Sequence, residues 1–209
     1  VGIDGLLGSE GGLELVRQGV LTGTFTCSTG GTEAFQYALD ILNKSSGIPK
    51  KIILRSDKVT PANVEEQMRK LSEQPANTKV DPGSLTVGFS QLGTETEWRR
   101  ANTDSILAAA REAGIRLLYQ NANGSQEAQI ASLRDFIRQR VDAIILAPIV
   151  ESGWDAVLQE AKQAGIPVIL SNRYVNVKDS TLYAAWVGSD FMEQGRKAAN
   201  WLVGKIGET

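Results

Sequence analysis

From Leu85 to Gly188 the chain alternates short, nearly unbroken apolar runs with segments of helical period. The runs are LTVGFS (85–90), IRLLYQ (115–120), DAIILA (142–147), PVILSN (167–172) and LYAAWVG (182–188), and a helical pattern follows each of the first three. In QEAQIASLRDFIRQR the residues Ile130, Leu133, Phe136 and Ile137 recur on one face of a helix. SGWDAVLQEAKQAG opens on Ser152, a cap signal, and closes on Gly165 with Pro167 just beyond. Strands that are apolar throughout, separated by amphipathic helices, predict an α/β fold: a doubly wound parallel sheet covered on both faces. Ligands of such sheets sit beyond the carboxyl ends of the strands. A last helix is predicted over 190–207, with Asp190 as its N-cap.

Residues 1–71 read as a different kind of piece. A short strand is predicted at VGID (1–4), a brief helix at 11–19 closed by Gly19, a β-rich strand at 21–29 and a helix at 32–47 ending on Gly47. Another strand follows at 50–57, then a short helix from Val64 to Leu71, and residues 72–84, polar and rich in helix breakers, read as a linker. Two strands and one helix do not close a core alone, so residues 1–27 are expected to pack on other parts of the chain.

Composition narrows the function. Histidine is absent and Cys27 is the single cysteine, which removes the Ser-His-Asp triad, histidine-bearing zinc sites, an intramolecular disulfide and cysteine metal clusters. A net charge of −2 without a long basic run argues against a nucleic-acid partner. No apolar run reaches spanning length, so membrane insertion is not expected. Neither a dinucleotide fingerprint nor a P-loop is present, and no cofactor is expected. An enzyme is the least favoured class.

LTVGFSQLGTETEWRR, DAIILAPIVESGWDAVLQEAKQAGIPVILSNR and VGSDFMEQGRKAANWLV resemble the amino-terminal lobe of type I periplasmic sugar-binding proteins of ABC transporters, in the ribose, galactose and galactofuranose-binding branch. The resemblance covers Leu85 to Thr209, and residues 1–42 resemble the family's carboxy-terminal section, here placed first. It implies a circularly permuted order lacking about a hundred residues of the second lobe, at roughly thirty per βα unit. That order points to an engineered fragment or one half of a split protein. By the family's topology residues 84–189 with 29–48 form the first lobe, residues 1–28, 50–57 and 190–209 part of the second, and hinge crossings fall near Thr29, Pro49 and Gly188.

The implied function is non-catalytic capture of a small sugar, pentose or hexose, in the periplasm or another extracytoplasmic space, for delivery to an ABC permease. The alternative is a sugar-sensing domain of a repressor or sensor kinase, although no helix-turn-helix segment is visible. A sugar site needs forked polar side chains and an aromatic face. Trp98 is expected to stack on the sugar and Arg99 to donate to its hydroxyls; otherwise Trp98 packs in the first helical turn and Arg99 pairs with Glu95. Asn172 and Arg173 stand where relatives carry a sugar-gripping Asp-Arg pair, with a surface Arg173 paired to Asp179 as the alternative. Asp4 stands where the family places a second-lobe carboxylate, though an Asp before Gly is also a turn residue. Ser90, Gln91 and Glu95 are secondary contacts from the first loop. Trp154 is expected to pack at a helix start, and Cys27 to be buried and inert. An incomplete second lobe would expose Phe191, Trp201 and Leu202 and recruit a complementary second-lobe chain or a second copy in a homodimer.

Overall fold

The computed structural model describes Gly2, residues 5–72 and residues 85–207. The chain divides into two compact units, one of residues 1–28, 53–75 and 189–209 and a larger one of residues 29–52 and 76–188. Asp4 and residues 73–84 of the expected linker lie outside the described residues, and Ser72 belongs to a helix.

In chain order the elements are helix α1 (Gly12–Arg17), strand β1 (Thr24–Phe25), helix α2 (Gly31–Leu42), strands β2 (Lys51–Leu54) and β3 (Lys58–Val59), and helix α3 (Val64–Ser72). Strand β4 (Thr86–Gln91), helix α4 (Glu97–Glu112), strand β5 (Arg116–Asn121), helix α5 (Gln126–Arg138), strand β6 (Ala143–Leu146) and helix α6 (Asp155–Gln163) follow. Strand β7 (Val168–Ser171), a 3-10 turn (Ser180–Leu182), strand β8 (Ala185–Ser189) and helix α7 (Phe191–Gly207) complete the order.

The larger unit is built on a six-stranded sheet in the order β2-β8-β7-β6-β4-β5. The pairs β4–β5, β4–β6, β6–β7 and β7–β8 are all parallel, as expected of apolar runs separated by helices. Every residue of β6 and β7 is buried. Alternation along the strands sends Ile144, Leu146, Val168 and Leu170 to one face, where they pack with Leu133, Phe136, Trp154, Val157 and Leu158 of the α5–α6 side. On the opposite face α2 lies against α4, β6 and β7. Trp154 is fully buried and donates Nε1–H to the Val150 carbonyl at 2.8 Å, a packing residue as its sequence context predicts.

The helix ends show which local signals operate. Ser125 caps α5, its hydroxyl accepting from Ala128 N at 3.1 Å, and Asp190 accepts from Glu193 N at 2.9 Å before α7. Gly165 closes α6 at φ +73, with Ile166 N donating to the Ala161 carbonyl at 3.0 Å. Two expectations fail. Ser152 does not cap α6: the helix begins at Asp155 with Trp154 in the capping position, because the indole buries there. Helix α2 stops at Leu42 instead of reaching Gly47, since Lys44 turns into the left-handed region at φ 56 and Ser45 N donates to the Asp40 carbonyl at 2.9 Å.

Strand boundaries also shift. The segment 182–188 enters the sheet only at Ala185, after the 3-10 turn. The strand expected at 50–57 shortens to β2, which joins the edge of the six-stranded sheet beside β8; the unit boundary falls between Ile52 and Ile53. In the smaller unit the strand expected at 21–29 is reduced to β1, antiparallel to β3. Gly2 bridges Thr24, and Leu13, Val16, Val59 and Val64 form the core of this unit. Cys27 is buried, its thiol 3.9 Å from Gln194 Oε1. On α7, Phe191 and Leu202 are exposed as anticipated, but Trp201 is half-buried, its ring against Gly23. Among the described residues no helix is long and apolar enough to cross a membrane.

Gly88 in β4 marks the tightest joint between sheet and helix. A Cβ there would lie 2.6 Å from the Phe136 ring, which is itself fully buried. Gly88→Ala is expected to lower stability by about 1–3 kcal/mol through overpacking. Adding Phe136→Leu should recover part of that loss, with both read from urea unfolding. An unchanged midpoint for Gly88→Ala would show that the ring moves aside freely.

Candidate functional site

Parallel strands carry their unpaired backbone groups and loops at their ends, so the carboxyl edge of the larger unit is where polar side chains can gather. Strand β4 ends at Gln91, and the loop to α4 runs through Leu92, Gly93, Thr94 and Glu95. Thr96 caps α4, its hydroxyl accepting from Arg99 N at 3.3 Å, which sets Trp98 and Arg99 in the first helical turn at this edge. Gly93 allows the Glu95 side chain to fold back, since a Cβ there would stand 2.1 Å from Glu95 Oε2. Glu95 then pairs with Arg99, the partner named as the alternative above, and Arg99 retains 20% side-chain exposure. Trp98 is half-buried.

Beyond β7, Asn172 takes a left-handed backbone at φ 69, unusual for a residue with a Cβ. Three contacts hold it. Its N–H donates to the Val187 carbonyl at 2.8 Å, its carbonyl accepts from Trp186 Nε1 at 3.1 Å, and a Cβ on Gly188 would stand 2.3 Å from that carbonyl. This turn directs Arg173, whose guanidinium donates to the Ile149 carbonyl. Arg173 is therefore not the surface partner of Asp179, which pairs with Lys162. Burial, and then the neighbouring charge of Arg173, pull the Arg99 guanidinium below its ordinary value. The structure thus brings Arg99 and Arg173 into each other's field, with Trp98 beside Arg99 in the same helical turn.

Ser90 and Gln91 are not presented by the loop. Both are buried in β4, and the Ser90 hydroxyl has no hydrogen-bond partner among the described residues. Gln91 is engaged internally: Nε2 donates to Asn102 Oδ1 and Thr103 Oγ1, both at 3.0 Å, and Oε1 accepts from Leu92 N at 3.1 Å.

The supporting residues Asn102 and Gln129 escaped the sequence reading. Asn102, fully buried, accepts from Gln91 and donates Nδ2–H to the Thr29 carbonyl at 2.9 Å. Gln129, fully buried on α5, donates to the Ala147 carbonyl at 2.9 Å and accepts from Ile149 N at 2.9 Å. It thereby fixes the segment whose carbonyl receives Arg173. The available signal was a polar residue set in an apolar stripe: Gln129 shares its face with Leu133 and Phe136, and Asn102 with Ile106.

The edge offers two guanidinium forks, one indole and an amide carried on a fixed turn. Such a set can donate to hydroxyl or carboxylate oxygens of a small molecule and cover an apolar ring face. Residues 87–209 match the periplasmic binding protein domain family, and the chain belongs to that family, in its type I sugar-binding class. It is 45% identical over 122 residues to the galactofuranose-binding protein of Escherichia coli (strain K12), covering 58% of this chain and 38% of that protein. A crystal structure from Mycobacterium smegmatis in complex with β-D-fucofuranose is 51% identical with a TM-score of 0.59, over 60% of this chain and 41% of that one. The binding component of the arabinose ABC transporter of Shewanella sp. ANA-3, bound to L-arabinofuranose, is 48% identical with a TM-score of 0.58, over 58% and 40%. The chain therefore spans about two-fifths of the length of these relatives.

Gln129→Leu tests the support. It preserves volume but leaves the Ala147 carbonyl and Ile149 N–H buried without their partner, an expected cost of about 1–3 kcal/mol. Hydrogen exchange at the Ile149 amide should accelerate beyond the change at β5. Uniform acceleration across the sheet would show that Gln129 contributes only to global stability.

Proposed function

We propose that this chain supplies the principal sugar-gripping wall of a non-catalytic capture protein that serves an ABC permease outside the cytoplasm. The ligand proposed is a pentose or hexose in its five-membered furanose ring. One observation carries the reading: Arg99, in the first turn of the helix after β4, and Arg173, two residues beyond β7, both follow the carboxyl ends of strands in one parallel sheet. Two forks so placed can donate to adjacent ring hydroxyls while Trp98 covers the apolar face. The furanose ligands named for the relatives favour the smaller ring. Asn172 keeps a hydrogen-bonding amide without a charge, in keeping with a neutral ligand. Glu95, held by Arg99, serves as an acceptor and not as a base. Asp4 is proposed as a further ligand contact, and a complementary chain or a second copy as the partner of this chain.

Methyl β-D-galactofuranoside and methyl α-L-arabinofuranoside, whose rings cannot open, test the reading against methyl β-D-galactopyranoside. Titration of the ¹⁵N-labelled chain should move the Trp98 indole and Arg173 amide signals with both furanosides. Affinity is expected to be weak, with a dissociation constant on the order of 1 mM or above, or about −4 kcal/mol at best. A single wall leaves much of the ligand in water. Arg173→Met should weaken binding at least about tenfold. Equal shifts with the pyranoside would reject the ring size; no shift with any glycoside would reject the site.

A further inference from the structure

A second recess opens at the β8–β2 side of the sheet, within the larger unit, and shares no residue with Trp98, Arg99 or Arg173. It encloses about 380 Å³ between Lys50, Lys51, Tyr174, Tyr183 and Trp186. That volume lies at the small end of the range for ligand pockets. Tyr174 stands edge-on to both other rings, 6.0 Å from Tyr183 at 88° and 5.6 Å from Trp186 at 77°. Lys50 Nζ lies 3.9 Å from the centre of the Tyr183 ring, and Lys51 Nζ lies 5.2 Å from that of Trp186. Three aromatic rings and two ammonium groups thus share one small space.

The charges are unbalanced. Lys50 donates to the Tyr183 carbonyl, and among the described residues neither Lys50 nor Lys51 has a carboxylate partner. The nearby Asp179 is already paired with Lys162 and also accepts from Thr181 Oγ1 at 2.6 Å. Tyr183 Oη lies 3.3 Å from Tyr174 Oη; when it donates there, the Tyr174 proton is left for a ligand. Burial pulls the Lys50 ammonium below the ordinary lysine value, a penalty that a bound anion would relieve. Tyr174 is 41% exposed and forms the open side through which a ligand could enter.

We propose that this recess binds a small ring-bearing carboxylate. The ring would lie among the aromatic side chains, and the carboxylate would accept from the two ammonium groups and from Tyr174 Oη–H. A neutral sugar would bring the two ammonium groups no counter-charge beyond that of Asp179, which Lys162 already shares. A carboxylate lacking a ring would leave the aromatic surfaces unused.

The test follows the Trp186 indole N–H signal of the ¹⁵N-labelled chain, with the Trp98 indole as an internal reference. Benzoate and glucuronate are the probes; acetate supplies the charge without a ring and benzyl alcohol a ring without the charge. At least one probe should shift Trp186 saturably, and should bind about tenfold more tightly than acetate or benzyl alcohol. The stronger probe tells whether the ring is aromatic or that of a sugar acid. Lys51 is exposed, so Lys51→Gln should leave the fold intact and weaken binding about fivefold or more. Acetate equal to both probes, an unaltered affinity in Lys51→Gln, or a lack of saturation with both probes would each overturn the proposal.

Discussion

The carboxyl edge of the sheet depends on the side-chain amide of Gln129. It is fully buried, it donates to the backbone where β6 ends, and it accepts from the backbone two residues further on. A sheet sealed on both faces has no water within reach to satisfy such groups, so a side chain must do so. Gln91 plays the equivalent part at the end of β4, passing its hydrogen bonds to Asn102 and through it to the Thr29 carbonyl. These two amides, both out of solvent, brace the backbone around Arg99 and Arg173: Gln91 Nε2 reaches the Arg99 carbonyl at 3.4 Å, and Gln129 holds the segment whose carbonyl receives Arg173. The groups proposed to meet a ligand are therefore positioned by groups buried behind them.

The larger unit was legible because its physics is periodic. Apolar runs buried on two faces and helices with one apolar stripe leave a pattern that survives without any structure, and Ser125, Asp190 and Gly165 mark helix ends by chemistry that needs no distant partner. Where a distant partner decides, the pattern misleads. Ser152 looked like a cap, but burial of Trp154 set the start of α6. Gly47 looked like a stop, but Lys44 adopted the left-handed turn three residues earlier. In the smaller unit β1 and β3 have two residues each, too few for alternation to register.

Of the candidate site, the residues at strand ends and in the first helical turn could be named from the sequence, since topology alone places them. Their partners could not. The acceptor of Arg173 is the carbonyl of Ile149, and a backbone carbonyl carries no sequence signature. Ser90 and Gln91 were adjacent to the right loop, yet the strand continues through Gln91 and keeps both side chains inside. A single residue of strand length separates a loop contact from an internal brace.

The charge at this edge is smaller than its two guanidinium groups alone would give. Glu95 is ion-paired with Arg99, which leaves Arg173 as the guanidinium without a carboxylate partner among the described residues. Salt in the medium screens what remains of the field between the two guanidinium groups. The pairing of each basic residue, not their number, sets how strongly this edge attracts or repels what approaches it.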